Sequence, residues 1–454
     1  MKYKTQYILT AAIILTMANT TIANATSTNA TSTNATETPK SLLEVFNIAS
    51  KDNATYQAAL STFQANKQNI PIAFGPLLPT VDLAAGLQSN YTNTTTHKQK
   101  SNYISVNPTT PLITINQSIF DWSLWKTYTQ SQYQFKADAI TLAQNRQELI
   151  LNTATAYFNI LQAEDQVKFA KANLKWNKEL YEQSEQKFKV GISPITDVQS
   201  SRANYESAIA AYVATENTLT STRNKLYQIT GQNITSIKEL SDNFPFDPPV
   251  PRSAAAWVKV ALSSNLDFIQ SQFDLQAKKE SISIAWGAFI PSVTASATFN
   301  RQLNYQTPQT SANSTATLGV NASWNILNGG SDYATVKQNR FTALSAKNST
   351  EQIKRNTESQ TTQSYLTVVS DISQIKALKQ SVLANESSVK AMQAGYDVGT
   401  QTIVDLLQRQ QILFNTQQQY AKAKYSYIND YLKLKQQAGN LTIKDIQDIN
   451  KWLS

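Results

Sequence analysis

The chain carries nearly the same message twice. Val190-Gly191 with Ile195 and Asp197 recurs as Val398-Gly399 with Ile403 and Asp405, a shift of 208 residues. The same shift carries Tyr212, Lys225, Leu226, Gln228 and Gly231 onto Tyr420, Lys433, Leu434, Gln436 and Gly439 without a gap. A repeat this long is a duplicated structural unit rather than a solenoid module, so whatever one half builds, the other builds beside it.

Long helices dominate each half. Neither glycine nor proline occurs from Leu112 to Val190 or from Ser331 to Ala394, so nothing punctuates those stretches. They predict helices of about 65 residues, roughly 95 Å long, over 124–190 and 331–398. In the first, Ile160, Val167, Leu174, Tyr181 and Phe188 stand seven apart, interleaved with Leu149, Ala156, Ala163 and Ala170. The second repeats the rhythm as Val368, Ile375, Val382, Val389 and Tyr396. A seven-residue apolar period winds helices into coiled coils, and the alanines permit close approach. Gly191-Ile192-Ser193-Pro194 stops the first long helix and restarts the chain, with Ser193 suited to cap the next helix. Gly399-Thr400 does the same in the copy, so return helices follow over 194–230 and 402–438. Two shorter helices, Leu42 to Ile70 and Ala254 to Trp286, open the halves.

Between short and long helix the period changes to two. Segments 79–91, 109–120, 291–305 and 315–327 alternate. Val81, Leu83, Ile113, Ile115, Val293, Phe299, Leu318 and Val320 fall on one face, and Ser, Thr, Asn and Gly on the other. Each predicts a strand of membrane-barrel length with one apolar face. Tyr91, Tyr305, Trp122 and Trp324 stand near strand ends, and the connections Thr92–Lys100 and Thr307–Ser314 are polar, as at a membrane surface. Four strands cannot close a barrel, and an open edge in lipid leaves backbone groups unpaired at several kcal/mol each. The chain is therefore expected to oligomerise with outer-membrane lipid around it. Two copies would give an eight-stranded barrel whose inward side chains are too small to plug it, whereas three give twelve strands and a wet lumen.

The rest of the composition fits export. Lys2, Lys4, the apolar run Ile8–Ala18 and Ala23-Asn24-Ala25 read as a secretory signal over 1–25. A Thr/Asn/Ser leader over 26–40 follows, with too little apolar content to fold. There is no Cys and one His, His97 in a polar connection, so thiolate, disulfide and cofactor chemistry have no residues to work with. No phosphate loop or paired carboxylate motif suggests an enzyme, and neither catalytic residues, a metal nor a cofactor is expected. The net charge of +9 is spread without Lys/Arg runs, which argues against nucleic acid.

The order short helix, strand, strand, long helix, Val-Gly turn, helix is written twice. With it stand Phe188-Lys-Val-Gly191, Ile195-Thr-Asp-Val198, Tyr396-Asp-Val-Gly399, Ile403-Val-Asp-Leu406 and Ile326-Leu-Asn-Gly-Gly330, and together they make the chain resemble the TolC family of outer-membrane export ducts. The resemblance covers about Ser41 to Asn440.

It implies a mostly α protomer with a membrane β-barrel, internally duplicated over 41–231 and 253–439. The homotrimer would join a twelve-stranded barrel in the outer membrane to a coiled-coil α-helical tunnel in the periplasm. An equatorial linker (232–252) and tail (440–454) would girdle the tunnel. The implied function is multidrug efflux or type I secretion of small toxic molecules or proteins. The implied partners are a periplasmic adaptor and an inner-membrane efflux pump or ABC exporter.

In such a duct Asp405 would belong to an acidic ring at the periplasmic entrance, and Val190, Gly191, Val398 and Gly399 to adaptor-docking tips. Both aspartates, Asp197 and Asp405, equally suit a purely structural place in the first turn of a helix, and the tip glycines equally suit positive φ alone. The chain departs from the family at Gln401, in place of an Arg that bridges the hairpins, and at Gln408, in place of a second ring Asp. Closure would then rest on coil packing and on neutral hydrogen bonds from Tyr396, Thr400 and Gln401. A trimeric coiled-coil adhesin without transport is the alternative.

Overall fold

The computed structural model describes residues 39–96, 99–306 and 309–454. The expected signal over 1–25, most of the leader and His97 lie outside them. Residues 39–454 form one compact unit.

Each half opens with a jointed helix. Helix α1 (Leu42–Asp52) starts at a capping box in which Ser41 and Glu44 satisfy each other's backbone amides. It is followed by α2 (Ala54–Lys67) and α3 (Asn69–Phe74). The single helix expected over Leu42–Ile70 is therefore broken, and the break is at Asn53, in extended conformation with ψ 112°. Its carboxamide accepts from the amide of Tyr56 at 2.9 Å and donates to the carbonyl of Ile229 at 3.0 Å.

Four strands then form one antiparallel sheet in the order β1 (Thr80–Thr96), β2 (Gln99–Phe120), β3 (Ser292–Gln306), β4 (Gln309–Ser323), so the two halves meet along β2 and β3. Register aligns the apolar positions across all four. Val81 pairs with Ile115, Ile115 with Ala297 and Ala297 with Leu318, and in the next such row Leu83, Ile113 and Phe299 stand side by side. Among the described residues nothing covers this face: Val81, Leu83, Leu318 and Val320 are 68–85% exposed.

The strands depart from the predicted limits. The hairpin β1–β2 pairs to Thr96↔Gln99, so most of the polar stretch expected to be a loop is ladder. Backbone pairing there needs no apolar side chain, and a period-two reading misses strands that are polar on both faces. β4 stops at Ser323, short of the expected 327, because Ser323 already faces Ser292, the first residue of β3. Pro108 and Pro111 lie inside β2, and its register slips on both sides, between Ala84 and Gly86 and between Thr109 and Leu112, where a missing amide is tolerated.

The long helix α4 (Trp122–Lys189) is capped by Asp121 and turns into α5 (Ile195–Thr230). The second half follows as α6 (Ala254–Ser264), α7 (Leu266–Trp286), α8 (Ser331–Asp397) and α9 (Ile403–Gln437), then α10 (Ile443–Asn450) in the tail. The helix expected over Ala254–Trp286 is jointed at Asn265. This residue accepts from Phe268 N and donates to Gln437 O, both at 2.9 Å. Asn53 and Asn265 thus do one job in duplicate. Each starts a new helix and closes the last turn of the returning one, as a residue with both acceptor and donor can.

In α8 the heptad positions Val368, Ile375, Val389 and Tyr396 are buried. In α4 the expected alanine track Ala156, Ala163 and Ala170 is buried and continues as Asn177 and Ser184; of the interleaved track Ile160 is buried, whereas Phe188 at its lower end is 42% exposed. α4 packs on both α5 and α9, and the track of small residues admits two close neighbours; Ser184 Oγ meets Ser201 Oγ at 2.6 Å.

The core sits at mid-length of the long helices, around Tyr157, Phe158, Ile160, Trp257, Val368, Ile428 and Leu432. The proline-rich connection and the tail lie against it, held by buried donors. Tyr157 Oη reaches Lys238 O at 2.8 Å, Tyr427 Oη reaches Asp247 O at 2.7 Å, and Trp257 Nε1 reaches Pro251 O at 2.8 Å. Lys435 pairs with the buried Asp445.

Between α8 and α9 two carboxyls face each other. Burial, then the neighbouring Asp430, pushes Asp371 up from 3.8 to about 6, and Asp371 Oδ2 is buried with no donor unless one of the two keeps its proton. Lys433 offsets part of the burial cost at Asp430. A carboxyl with a raised folded-state pKa binds a proton on folding, so this pair favours the fold at low pH and loses that contribution as pH climbs through about 6. Asp371→Asn is expected to raise stability at pH 7.5 by no more than about 1 kcal/mol, the site being half solvated, and by almost nothing below about pH 4, the ordinary carboxyl value. Thermal unfolding at both values tests it; a gain independent of pH would refute the shared proton.

Candidate functional site: the two hairpin tips

Both long helices end in the same backbone device. Gly191 (φ +76°) and Gly399 (φ +80°) adopt the left-handed conformation after Val190 and Val398. The next amide bonds back over the last turn, Ile192 N to Lys187 O at 2.9 Å and Thr400 N to Gly395 O at 2.8 Å. This closes the helix carbonyls as a Schellman turn does. The chain then re-enters a helix differently at each tip. Ser193 does not cap α5; Pro194 holds that position, and Ser193 Oγ donates to Asp197 Oδ2 at 2.7 Å. At the second tip Thr402 is the cap: its Oγ1 accepts from Asp405 N at 3.2 Å and donates to Asp405 Oδ2 at 2.6 Å. Both aspartates therefore sit in a first helical turn, where the helix dipole favours a carboxylate by about 0.3–1 kcal/mol.

Asp405 and Gln408 are exposed and lie one turn apart on α9, on a stripe continued by Ile412 and Asn415 that no other described residue covers. Asp197 is half-buried. The extreme ends are apolar: Val190 and Val398 are 68% and 76% exposed, and Ile192 is 76% exposed. Thr400 and Gln401 do not reach across to the first hairpin. Thr400 Oγ1 and Gln401 N both bond to Gly395 O, at 3.1 and 3.3 Å. The Gln401 side chain lies over Gly395, where an added Cβ would meet Gln401 Cγ at 2.6 Å.

Tyr396 is brought to the junction of the hairpins. Its ring is buried with Leu180, Ile403, Leu406 and Leu407, and its hydroxyl is buried without a partner. Burial, then the Asp197 and Asp397 carboxylates, pushes its pKa up, so the phenol stays neutral. What joins the long helices here is a residue the sequence reading passed over. Lys187 Nζ stands 4.0 Å from the Tyr396 ring centroid, a cation held on an aromatic face, and Gln183 Nε2 donates to Asp397 Oδ1 at 3.2 Å. Continuing the buried spacing Asn173, Leu180 by seven reaches Lys187, so the heptad itself carried the signal. No described helix is long and apolar enough to cross a membrane.

The chain is 31% identical to the outer membrane protein TolC of Escherichia coli (strain K12), over 91% of its own length and 85% of that protein's. To the alkaline protease secretion protein AprF of Pseudomonas aeruginosa it is 22% identical, over 89% and 86%. Its fold matches the crystal structure of the Campylobacter jejuni CmeC outer membrane channel with a TM-score of 0.78 at 20% identity, covering 91% of this chain and 90% of that one. The Vibrio cholerae outer membrane protein VceC matches at 0.75, with 88% and 96% covered. The family described as outer membrane efflux protein matches residues 18–232 and 257–440, leaving between them only the stretch around the proline-rich connection. With both hairpins, all four strands and both tips inside those limits, the chain belongs to the outer membrane efflux protein family.

Proposed function

We propose that the protein is an outer-membrane channel built from three copies, which exports small toxic molecules or proteins delivered by a periplasmic adaptor and an inner-membrane pump. Three four-stranded sheets close a twelve-stranded barrel, and the paired hairpins continue it as a tunnel through the periplasm. The observation that carries this reading is the uncovered apolar sheet face with both outer strands, β1 and β4, unpaired on one side. In lipid such an edge is tolerated only if another copy pairs with it. Detergent-purified protein is expected to run as a trimer and to open discrete conductances in a planar bilayer. A monomer soluble without detergent and electrically silent would end the proposal, and a trimer without conductance would favour a purely structural coiled-coil protein. A deletion strain tested for drug sensitivity and for secretion of large proteins separates the two cargo classes.

Asp405, repeated by threefold symmetry, supplies an acidic ring at the tunnel entrance, with Gln408 one turn further along the same stripe. Tyr396, Thr400 and Gln401 shape that entrance by packing and by closing the tip turn, while Asp197 stabilises the first turn of α5. The tips Val190-Gly191 and Val398-Gly399 dock the adaptor. An added Cβ at either glycine meets no atom within 4 Å, so a side chain there costs only the backbone conformation, about 1 kcal/mol. Gly191→Leu and Gly399→Leu are expected to leave the trimer and its conductance intact while lowering export at least tenfold in cells. Export at the wild-type level would assign the glycines to the turn alone.

A further inference from the structure

One cation stands on the apolar side of the sheet. Arg301 continues the row Val293, Ala295, Ala297, Phe299 along β3, is exposed, and faces Ser314 across the ladder. One step below it the same side is apolar on every strand, with Leu83, Ile113, Phe299 and Ala316 side by side. The apolar face therefore ends at Arg301. Eight residue steps separate it from Val293, about 27 Å along the strand and roughly 20 Å along the membrane normal at the tilt usual in barrels. That lies near the far margin of an apolar belt about 25 Å tall. Because α4 and α8 leave the sheet at the other end, beside Trp122 and Trp324, Arg301 lies toward the outer leaflet.

The sheet offers no carboxylate to answer this charge. Residues 83–120 and 291–330 contain neither Asp nor Glu, and Arg301 forms no ion pair among the described residues. A neighbouring copy brings nothing more, because the one acidic residue of its strands, Asp82, stands at the opposite end, in the first turn of pleat of β1. Lys100, paired with Thr95 near the outer turn, adds charge of the same sign at Arg301's end. The ladder there includes residues 89–96, which are Ser, Asn and Thr except for Tyr91, residue types that hydrogen-bond to sugar hydroxyls. A guanidinium at headgroup depth is accommodated when its stem lies along apolar surface and its head reaches a phosphate, whose oxygens the planar fork grips two at a time.

We infer that Arg301 binds the phosphate of an acylated phosphosaccharide, the lipid class of the outer leaflet, so that a trimer carries three such lipids on its outside. The inference goes beyond export and rests only on the membrane sheet of that reading; its ligand belongs to the wall of the barrel, not to the conduit. A glycerophospholipid is the poorer fit. In an outer membrane its phosphates lie at the inner margin, near Trp122 and Trp324, roughly 20 Å from the level of Arg301.

The test uses the purified full-length protein in detergent, with native mass spectrometry to rank three probes: lipid A, lipid A stripped of its phosphates, and phosphatidylglycerol. Wild-type trimer is expected to retain lipid A at least about tenfold over either of the others. Arg301→Gln is expected to lose that preference while keeping trimer and conductance, and Arg301→Lys to keep part of it. The control Arg340→Gln, on α8 below the sheet, keeps all of it. Equal retention of lipid A and its dephosphorylated form overturns the proposal, as does a preference that survives in Arg301→Gln or falls equally in the control. Phosphatidylglycerol held as tightly as lipid A overturns it too, by making the contact one with any anionic lipid. Should Arg301→Gln fail to assemble, wild-type protein decides: lipid A must shield Arg301 from an arginine-selective dicarbonyl reagent, and no shielding sinks the site. A trimer with this lipid selectivity that never conducts would keep the lipid site and remove the export channel, and a conducting trimer without the selectivity would do the reverse.

Discussion

Gly439→Ala is expected to abolish the folded trimer at physiological temperature, whereas the corresponding change in the other half, Gly231→Ala, is expected to be tolerated. Both glycines follow return helices and both have positive φ, +73° and +66°. An alanine at either pays about 1 kcal/mol for the left-handed conformation. The surroundings separate them. A Cβ on Gly231 would find only Asp52 Cβ at 3.9 Å, an ordinary contact. On Gly439 it would lie 1.9 Å from Ser264 O, 2.3 Å from Ser264 C and 2.7 Å from Asn265 N. These are backbone atoms, so no rotamer change relieves the clash. The joint between α6 and α7 must move, and with it the bond from Asn265 to Gln437 O and the bond from Gln147 to Gly439 O. Overpacking of this kind adds about 1–3 kcal/mol or more to the conformational cost, which for one substitution lies in the exceptional range. Heat-resistant trimer on a gel and the unfolding midpoint of each variant read the difference. Equal destabilisation of the two would mean that φ alone accounts for both glycines.

Asp405→Asn is expected to relieve block of the channel by multivalent cations roughly a hundredfold while moving the unfolding midpoint hardly at all. A carboxylate a few ångströms from a cation in water contributes on the order of 1 kcal/mol, and threefold symmetry removes three at once. The helix loses only its dipole contribution, about 0.3–1 kcal/mol, and asparagine keeps the shape beside Thr402 Oγ1. Unchanged block with lowered stability would confine Asp405 to the first turn of α9. Gln408, one turn further along the exposed stripe, carries no charge, so in the proposed entrance the ring of Asp405 stands without a second acidic ring behind it.

The duplication, the two long helices, the Val-Gly turns and the alternation in the strands could be read from residues alone, because each follows from local rules: a seven- or two-residue apolar period, or a glycine where φ must be positive. The joints at Asn53 and Asn265 were also written locally. Each asparagine caps the helix that follows it, but a chain of good helix formers on either side hid the signal, and the second bond of each reaches a carbonyl more than 170 residues away. The strand tips escaped the pattern because a ladder of polar residues has no apolar face to reveal it. At the tips, the sequence suggested that Tyr396, Thr400 and Gln401 would link the hairpins by neutral hydrogen bonds. The folded chain turns Thr400 and Gln401 back on Gly395, leaves the Tyr396 hydroxyl alone, and makes the link with Lys187 and Gln183 instead.

The residues by themselves determined the elements and their repetition, since periodicity and turn chemistry act within a few residues of chain. Only the tertiary structure decided which track of α4 became the seam, which of two equivalent glycines has no room for a methyl group, and which cation meets Tyr396. Those outcomes depend on how closely separate helices approach, and the alanine and serine positions of α4 let it lie against α5 and α9 together, a distance no single segment encodes.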